Sequence, residues 1–139
     1  MHFEVSIVVR VPRSKAYSIY TDFEATPKWS KQLRAVSASR RGDTVYLEST
    51  SAEGGRKSFR ELMLFPQERV ESEGETRFTR TKSVVRFDEV AEGTKVTASL
   101  DVNFKGHWGW VLKTHGKAEA ETSAMEELAS FGTYVEGLP

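Results

Sequence analysis

The chain has 139 residues, 38% hydrophobic and 29% charged, which places it among soluble globular proteins with room for one real core and excludes a disordered chain. Twenty basic and twenty acidic residues cancel, so net charge gives no reason to expect nucleic acid as a partner. With no cysteine, disulfides, thiolate catalysis and Cys-based metal sites are excluded, and no apolar run approaches the ~20 residues of a membrane span.

The elements follow in order. Phe3, Val5, Ile7, Val9 and Val11 alternate with Glu4, Ser6, Val8 and Arg10, a period of two that predicts a strand with one buried face. Such a start is unlike a signal peptide, so the cytoplasm is the expected location. Pro12 ends the strand because it cannot donate to a ladder. Ala16, Ile19, Tyr20 and Phe23 lie three and four apart and predict a short amphipathic helix over 13–23. A second short helix is expected next, capped by Thr26 with Pro27 in its first turn, burying Trp29 and Leu33.

From about Val36 to Phe104 the pattern is a meander of six strands. Turn signals fall at Arg41-Gly42-Asp43, Gly54-Gly55, Pro66-Gln67, Gly74 and Glu92-Gly93-Thr94. Val96, Ala98, Leu100, Val102 and Phe104 share one face of the last strand. Trp108 to Glu136 returns to a helical period, with Trp108, Val111, Leu112, His115, Ala118, Met125, Leu128, Ala129, Gly132 and Val135 as its stripe. The expected architecture is α+β: one domain over 1–139, a curved antiparallel seven-stranded sheet wrapped on a long C-terminal helix. A twisted sheet closes on a helix at its two ends and leaves an apolar space in the middle, the usual setting of a small-molecule site.

The punctuation of this order resembles the START/SRPBCC superfamily, the helix-grip fold of pollen allergens, lipid-transfer START domains and bacterial polyketide cyclases. The matching residues are Val9-Arg10-Val11-Pro12, the helix ending at Asp22-Phe23, Pro27-Lys28-Trp29, Glu61 ahead of Phe65-Pro66-Gln67-Glu68-Arg69-Val70, and Glu92-Gly93-Thr94-Lys95-Val96-Thr97. The branch most similar is that of the polyketide cyclase/dehydrase and coenzyme-Q-binding START-like proteins. The resemblance implies a pocket for a lipid, an isoprenoid quinone, a polyketide or an aromatic metabolite.

The ligand-lining residues expected are Trp29, Phe23, Ala98, Leu100, Val102, Trp108, Leu112, His115, Ala118 and Met125. Trp29 reads either as a gate residue touching ligand or as a core aromatic, with Asp22 then a turn former. Trp108 and Trp110 form an aromatic lip, or else one is core and one exposed. His115 is either a pocket base near neutral pH or a satisfied core histidine. In the fourth strand Arg60 shares a face with Leu62 and Leu64, and Glu61 shares the other with Phe59, Met63 and Phe65; one of the two charges faces the cavity. If Thr79, Thr81, Ser83, Val85 and Phe87 face inward, the pocket also holds hydroxyls.

His2, His107 and His115 lack metal-ligand spacing, and no nucleotide fingerprint is present, so neither metal nor cofactor is expected. Three functions remain open. The first is a carrier or binding protein for a hydrophobic small molecule. The second is a cyclase/dehydratase-type enzyme using His115, Glu61 or Arg60. The third is a ribosome- or protein-interaction module, kept open by eleven Lys/Arg against six Asp/Glu in residues 1–60.

Overall fold

The computed structural model describes residues 1–75, 79–104 and 116–139. Strand β1 (His2–Val9) leads into helix α1 (Arg13–Tyr20) and a short 3-10 helix (Phe23–Lys28). Strands β2 (Leu33–Arg41), β3 (Thr44–Ser51), β4 (Lys57–Phe65), β5 (Arg69–Glu75), β6 (Thr79–Val90) and β7 (Gly93–Phe104) follow, and α2 (Lys117–Glu136) closes the order. The seven strands form one antiparallel sheet in the order β1-β7-β6-β5-β4-β3-β2. Consecutive strands pair because two- to five-residue turns leave no other geometry, and β1 completes the sheet by pairing with β7.

Three local expectations are corrected. The second helix is a 3-10 segment that begins at Phe23, so Thr26 and Pro27 lie inside it, Trp29 follows its end, and Leu33 opens β2. Gly74 is not a turn residue but sits within β5, opposite Arg60 and Thr81. Of the long helix expected from Trp108, residues 117–136 are helical, and the segment holding Trp108, Trp110, Leu112 and His115 lies outside the described residues.

The phase of α2 matches the expected stripe at Leu128, Gly132 and Val135 and departs from it at Phe131, which joins the buried face, and at Ala118, Met125 and Ala129, which are exposed. Its buried face carries Leu128, Phe131, Gly132 and Val135, with Ala124 and Glu127 a turn earlier facing the sheet. Phe131 fixes this phase: it is fully buried and stacks on Tyr20 (5.5 Å between centroids) and Trp29 (5.1 Å). Met125, six residues before Phe131, lies about a third of a turn from it, at the edge of the buried face, and is 42% exposed. Ala118 is likewise exposed.

Sequence punctuation is explained by close approaches. At Gly132 a Cβ would meet Ile7 Cδ1 at 3.1 Å and Val9 Cγ1 at 3.4 Å, so the missing side chain lets α2 lie directly on β1. At Gly93 φ is +145° and a Cβ would fall 2.2 Å from the Val9 carbonyl oxygen, a place only glycine fits. The fully buried Thr94 beside it donates its hydroxyl to the Val11 carbonyl (2.8 Å), tying the start of β7 to the end of β1. The core is continuous from these contacts through Ala16, Tyr17 and Phe87 to Val45, Leu62 and Val70.

Among the described residues no helix is long and apolar enough to cross a membrane.

Candidate functional site

Between the sheet and α2 the core opens into a cavity of about 230 Å3. Tyr20, Phe23 and Trp29 close it from the α1 side, Leu62, Val70, Val85, Ala98 and Leu100 line the sheet, and Ala124, Glu127 and Leu128 face it from α2. Its surface is mostly apolar because each strand turns alternate residues inward.

The polar atoms are concentrated on one wall. Parity on β4 settles which charge faces in: Leu62 and Leu64 are buried, so Arg60 points with them toward the cavity and Glu61 points away on the opposite face. Arg60 borders the cavity while remaining open to solvent. The Arg60 Nη2 donates to Ser72 Oγ (2.7 Å) and to Ser83 Oγ (3.2 Å). Those two serines lie opposite one another in the β5–β6 register and share a hydrogen bond. Gly74 leaves the room for this arrangement, since a Cβ there would touch the Arg60 stem at 3.4 Å. The guanidinium is thus held by two neutral hydroxyls and stands in no ion pair among the described residues. Its charge is therefore only partly spent within the protein.

Facing it from α2 is Glu127. The Ser30 hydroxyl donates to Glu127 Oε1 while accepting from the Gln32 N–H. Burial pushes the Glu127 carboxyl above its ordinary range, and the Ser30 hydrogen bond and the Arg60 charge pull it part of the way back. The Tyr20 phenol, beside both, is also raised, by burial first, with Arg60 lowering it and Glu127 raising it. Because folded Glu127 holds its proton more tightly than the unfolded chain does, its contribution to stability is whole below the ordinary carboxylate range and declines as pH rises through the raised folded value. Glu127→Gln is therefore expected to melt at a higher temperature than the parent at pH 7.5, and at the same temperature near pH 3.5. An unchanged or lower melting temperature at pH 7.5 would show that Glu127 is not strained by burial.

Of the residues expected to line a pocket, Trp29, Phe23, Ala98 and Leu100 surround this cavity. Val102 is buried but does not border it. Met125 is exposed, and Ala118 lies in a shallow outer dent with Glu119, Thr122 and Ser123. Trp108, Leu112 and His115 lie outside the described residues. Trp29 is a core aromatic between Tyr20 and Phe131 and also lines the cavity. Inward Ser83 adds a hydroxyl to the site. Sequence reasoning does not nominate Glu127, Tyr20 or Ser72. Including Phe131 in the α2 stripe would have brought Glu127, one turn before it, onto the buried face.

Outside the cavity, between the 3-10 helix and α2, runs an open groove of about 670 Å3 lined by Lys28, Lys31, Glu126, Ser130 and Tyr134. Trp29 and Glu127 border the cavity and this groove alike. Among the described residues no group of three His, Asp or Glu side chains is placed to hold a metal.

The family model described as polyketide cyclase / dehydrase and lipid transport matches residues 1–136. The chain belongs to that family. Solved structures place this polyketide cyclase/dehydrase family member within the START/SRPBCC fold. TTHA0849 from Thermus thermophilus superposes with a TM-score of 0.83 at 17% identity, over 97% of both chains. A START superfamily protein from Mycobacterium smegmatis gives 0.68 at 17% identity, over 98% of this chain and 94% of that one. The di-domain aromatase/cyclase BexL, from the BE-7585A biosynthetic pathway, gives 0.81 at 16% identity. All of this chain is covered by that match, and it spans about half (51%) of BexL. Among curated proteins none matches the chain in sequence. The helix-grip architecture read from the sequence is borne out by these superpositions.

Proposed function

We propose that this protein binds a compact aromatic or polyketide-like molecule carrying an acidic oxygen, with its rings between Phe23, Trp29, Ala98 and Leu100 and its oxygen on Arg60. The observation that carries this reading is the Arg60 guanidinium, held by Ser72 and Ser83 and in no ion pair among the described residues, on the wall of an apolar cavity. A charge so placed rewards a ligand that completes its hydrogen bonds and shields them, because charge-assisted bonds gain strength away from water. The volume of about 230 Å3 falls below the ~300–1,000 Å3 of drug-sized sites. It favours a one- or two-ring molecule over a long lipid or isoprenoid chain. Family membership supports a hydrophobic ligand.

A second reading, favoured by Glu127, is catalysis of the cyclase/dehydratase type. A carboxyl with a raised pKa, across an apolar space from a fixed cation, is equipped to pass a proton to or from a carbonyl compound whose developing negative charge Arg60 stabilises. Likeness to aromatase/cyclase structures supports this reading at the level of fold.

The test of binding is a titration with 2-naphthoate followed through tryptophan emission, with a saturating one-to-one isotherm expected. Ala98→Phe fills the space such a ligand would occupy. It is expected to stay within about 1 kcal/mol of the parent in stability and to weaken naphthoate at least about tenfold, or 1.4 kcal/mol. Ala118→Leu, on the outer surface of α2, should alter neither. A strongly destabilised Ala98→Phe protein would mean that the interior is solid at that point, and the binding reading would fall.

A further inference from the structure

The face of the sheet turned away from α2 carries an unusual combination. Val45, Leu62, Val70 and Ser72 are buried, so Tyr46 and Glu48 on β3, Phe59, Glu61 and Met63 on β4, and Glu71, Glu73 and Glu75 on β5 share the outer face. Phe59 is 67% exposed, Met63 48% and Tyr46 45%. Single exposed apolar residues need no explanation, but three on two adjacent strands make a patch. They surround one carboxylate. Glu61 lies directly opposite Tyr46 in the β3–β4 register and two residues from both Phe59 and Met63.

The carboxylates around Glu61 are each matched by a cation, and Glu61, among the described residues, is not. Glu48 pairs with Lys57, Glu71 with Arg69, Glu73 with Lys82 and Glu75 with Arg80. Glu61 stands in no ion pair among the described residues. Its opposite neighbour on β5 is Glu73, another carboxylate, and like charges directly across a sheet repel. Grooves of about 600 and 400 Å3 meet at Glu61 and Glu73.

We infer that this outer face is a docking surface for a basic, partly apolar segment of a partner protein, whose arginine or lysine seats on Glu61 between Tyr46 and Phe59. Two complementarities specify the occupant. The carboxylate of Glu61, in no ion pair among the described residues while its neighbours are paired, attracts a cation. The flanking aromatic rings favour a cation with an apolar stem, through cation–π attraction and burial of the methylenes. This surface lies on the opposite side of the sheet from the cavity, so the inference stands independently of what the cavity binds.

The test is fluorescence anisotropy with a labelled twelve-residue peptide alternating arginine and leucine, at 150 mM salt, where long-range attraction between exposed charges is largely screened. Saturable binding by the parent protein is expected. Glu61→Lys should weaken it at least about tenfold and Phe59→Ser about fivefold, while Glu92→Lys, the same charge change on the remote β6–β7 turn, should leave it within about twofold. All three substitutions are at exposed positions, and an unchanged melting temperature verifies that each variant is folded. No binding by the parent, equal losses for Glu61→Lys and Glu92→Lys, or binding indifferent to Phe59→Ser would each overturn the proposal. Displacement of the peptide by spermine at an equal concentration of charge would also overturn it, by showing that a bare polycation suffices.

Discussion

Truncating Phe131 to alanine is expected to cost about 3–5 kcal/mol, the range for a fully buried phenylalanine, and to lower the melting temperature by on the order of 10–15 °C. The side chain is fully buried and joins three parts of the molecule, since it stacks on Tyr20 of α1 and on Trp29 after the 3-10 helix while belonging to α2. Removing it leaves a void that Tyr20 cannot close without leaving Phe87, whose ring lies 5.5 Å away. Thermal unfolding followed by circular dichroism measures the effect. A loss under about 1.5 kcal/mol would mean that the aromatic cluster is not what binds α2 to the rest.

Arg60→Met is expected to weaken 2-naphthoate by roughly 10–100-fold, the equivalent of one charge-assisted hydrogen bond, while leaving the uncharged 2-naphthamide within about threefold. Methionine keeps an unbranched stem against Gly74 and removes only the cation, and Ser72 and Ser83 still satisfy each other. Isothermal titration of both compounds separates the charge from the shape. Equal weakening of acid and amide would assign Arg60 a packing role and remove the acidic oxygen from the proposed ligand class.

The fold was legible because its strands repeat a strict period of two between strong turn signals, and because Pro12 and the Glu92-Gly93-Thr94 turn mark chain reversals that few other residues tolerate. The site was legible in part. Ala98 and Leu100 follow from strand parity alone. Parity also reduced Arg60 and Glu61 to a single alternative, which only knowledge of the neighbouring buried residues resolves. The α2 assignments were harder. With alanines at positions 118, 120, 124 and 129, the hydrophobic stripe has no sharp edge, so the expected stripe takes in Met125, Ala118 and Ala129 while omitting Phe131. Glu127 was hidden for a further reason: an acidic residue on a helix is ordinarily solvated, and nothing in the chain announces that Ser30, 97 positions away, will meet it. Long-range pairings of that kind are decided by packing, not by local pattern.

Trp29 and Glu127 have the cavity on one side and the outer groove on the other, and this has a kinetic consequence. A molecule bound as proposed would exchange with solvent by rotation of these two shared side chains, without separating α2 from the sheet. Residence time would then be governed by how often the indole swings clear of Phe131 and how often the Ser30–Glu127 hydrogen bond breaks, and not by global unfolding. Conditions that neutralise Glu127 weaken that bond, so dissociation should quicken on acidification well before the protein loses its fold.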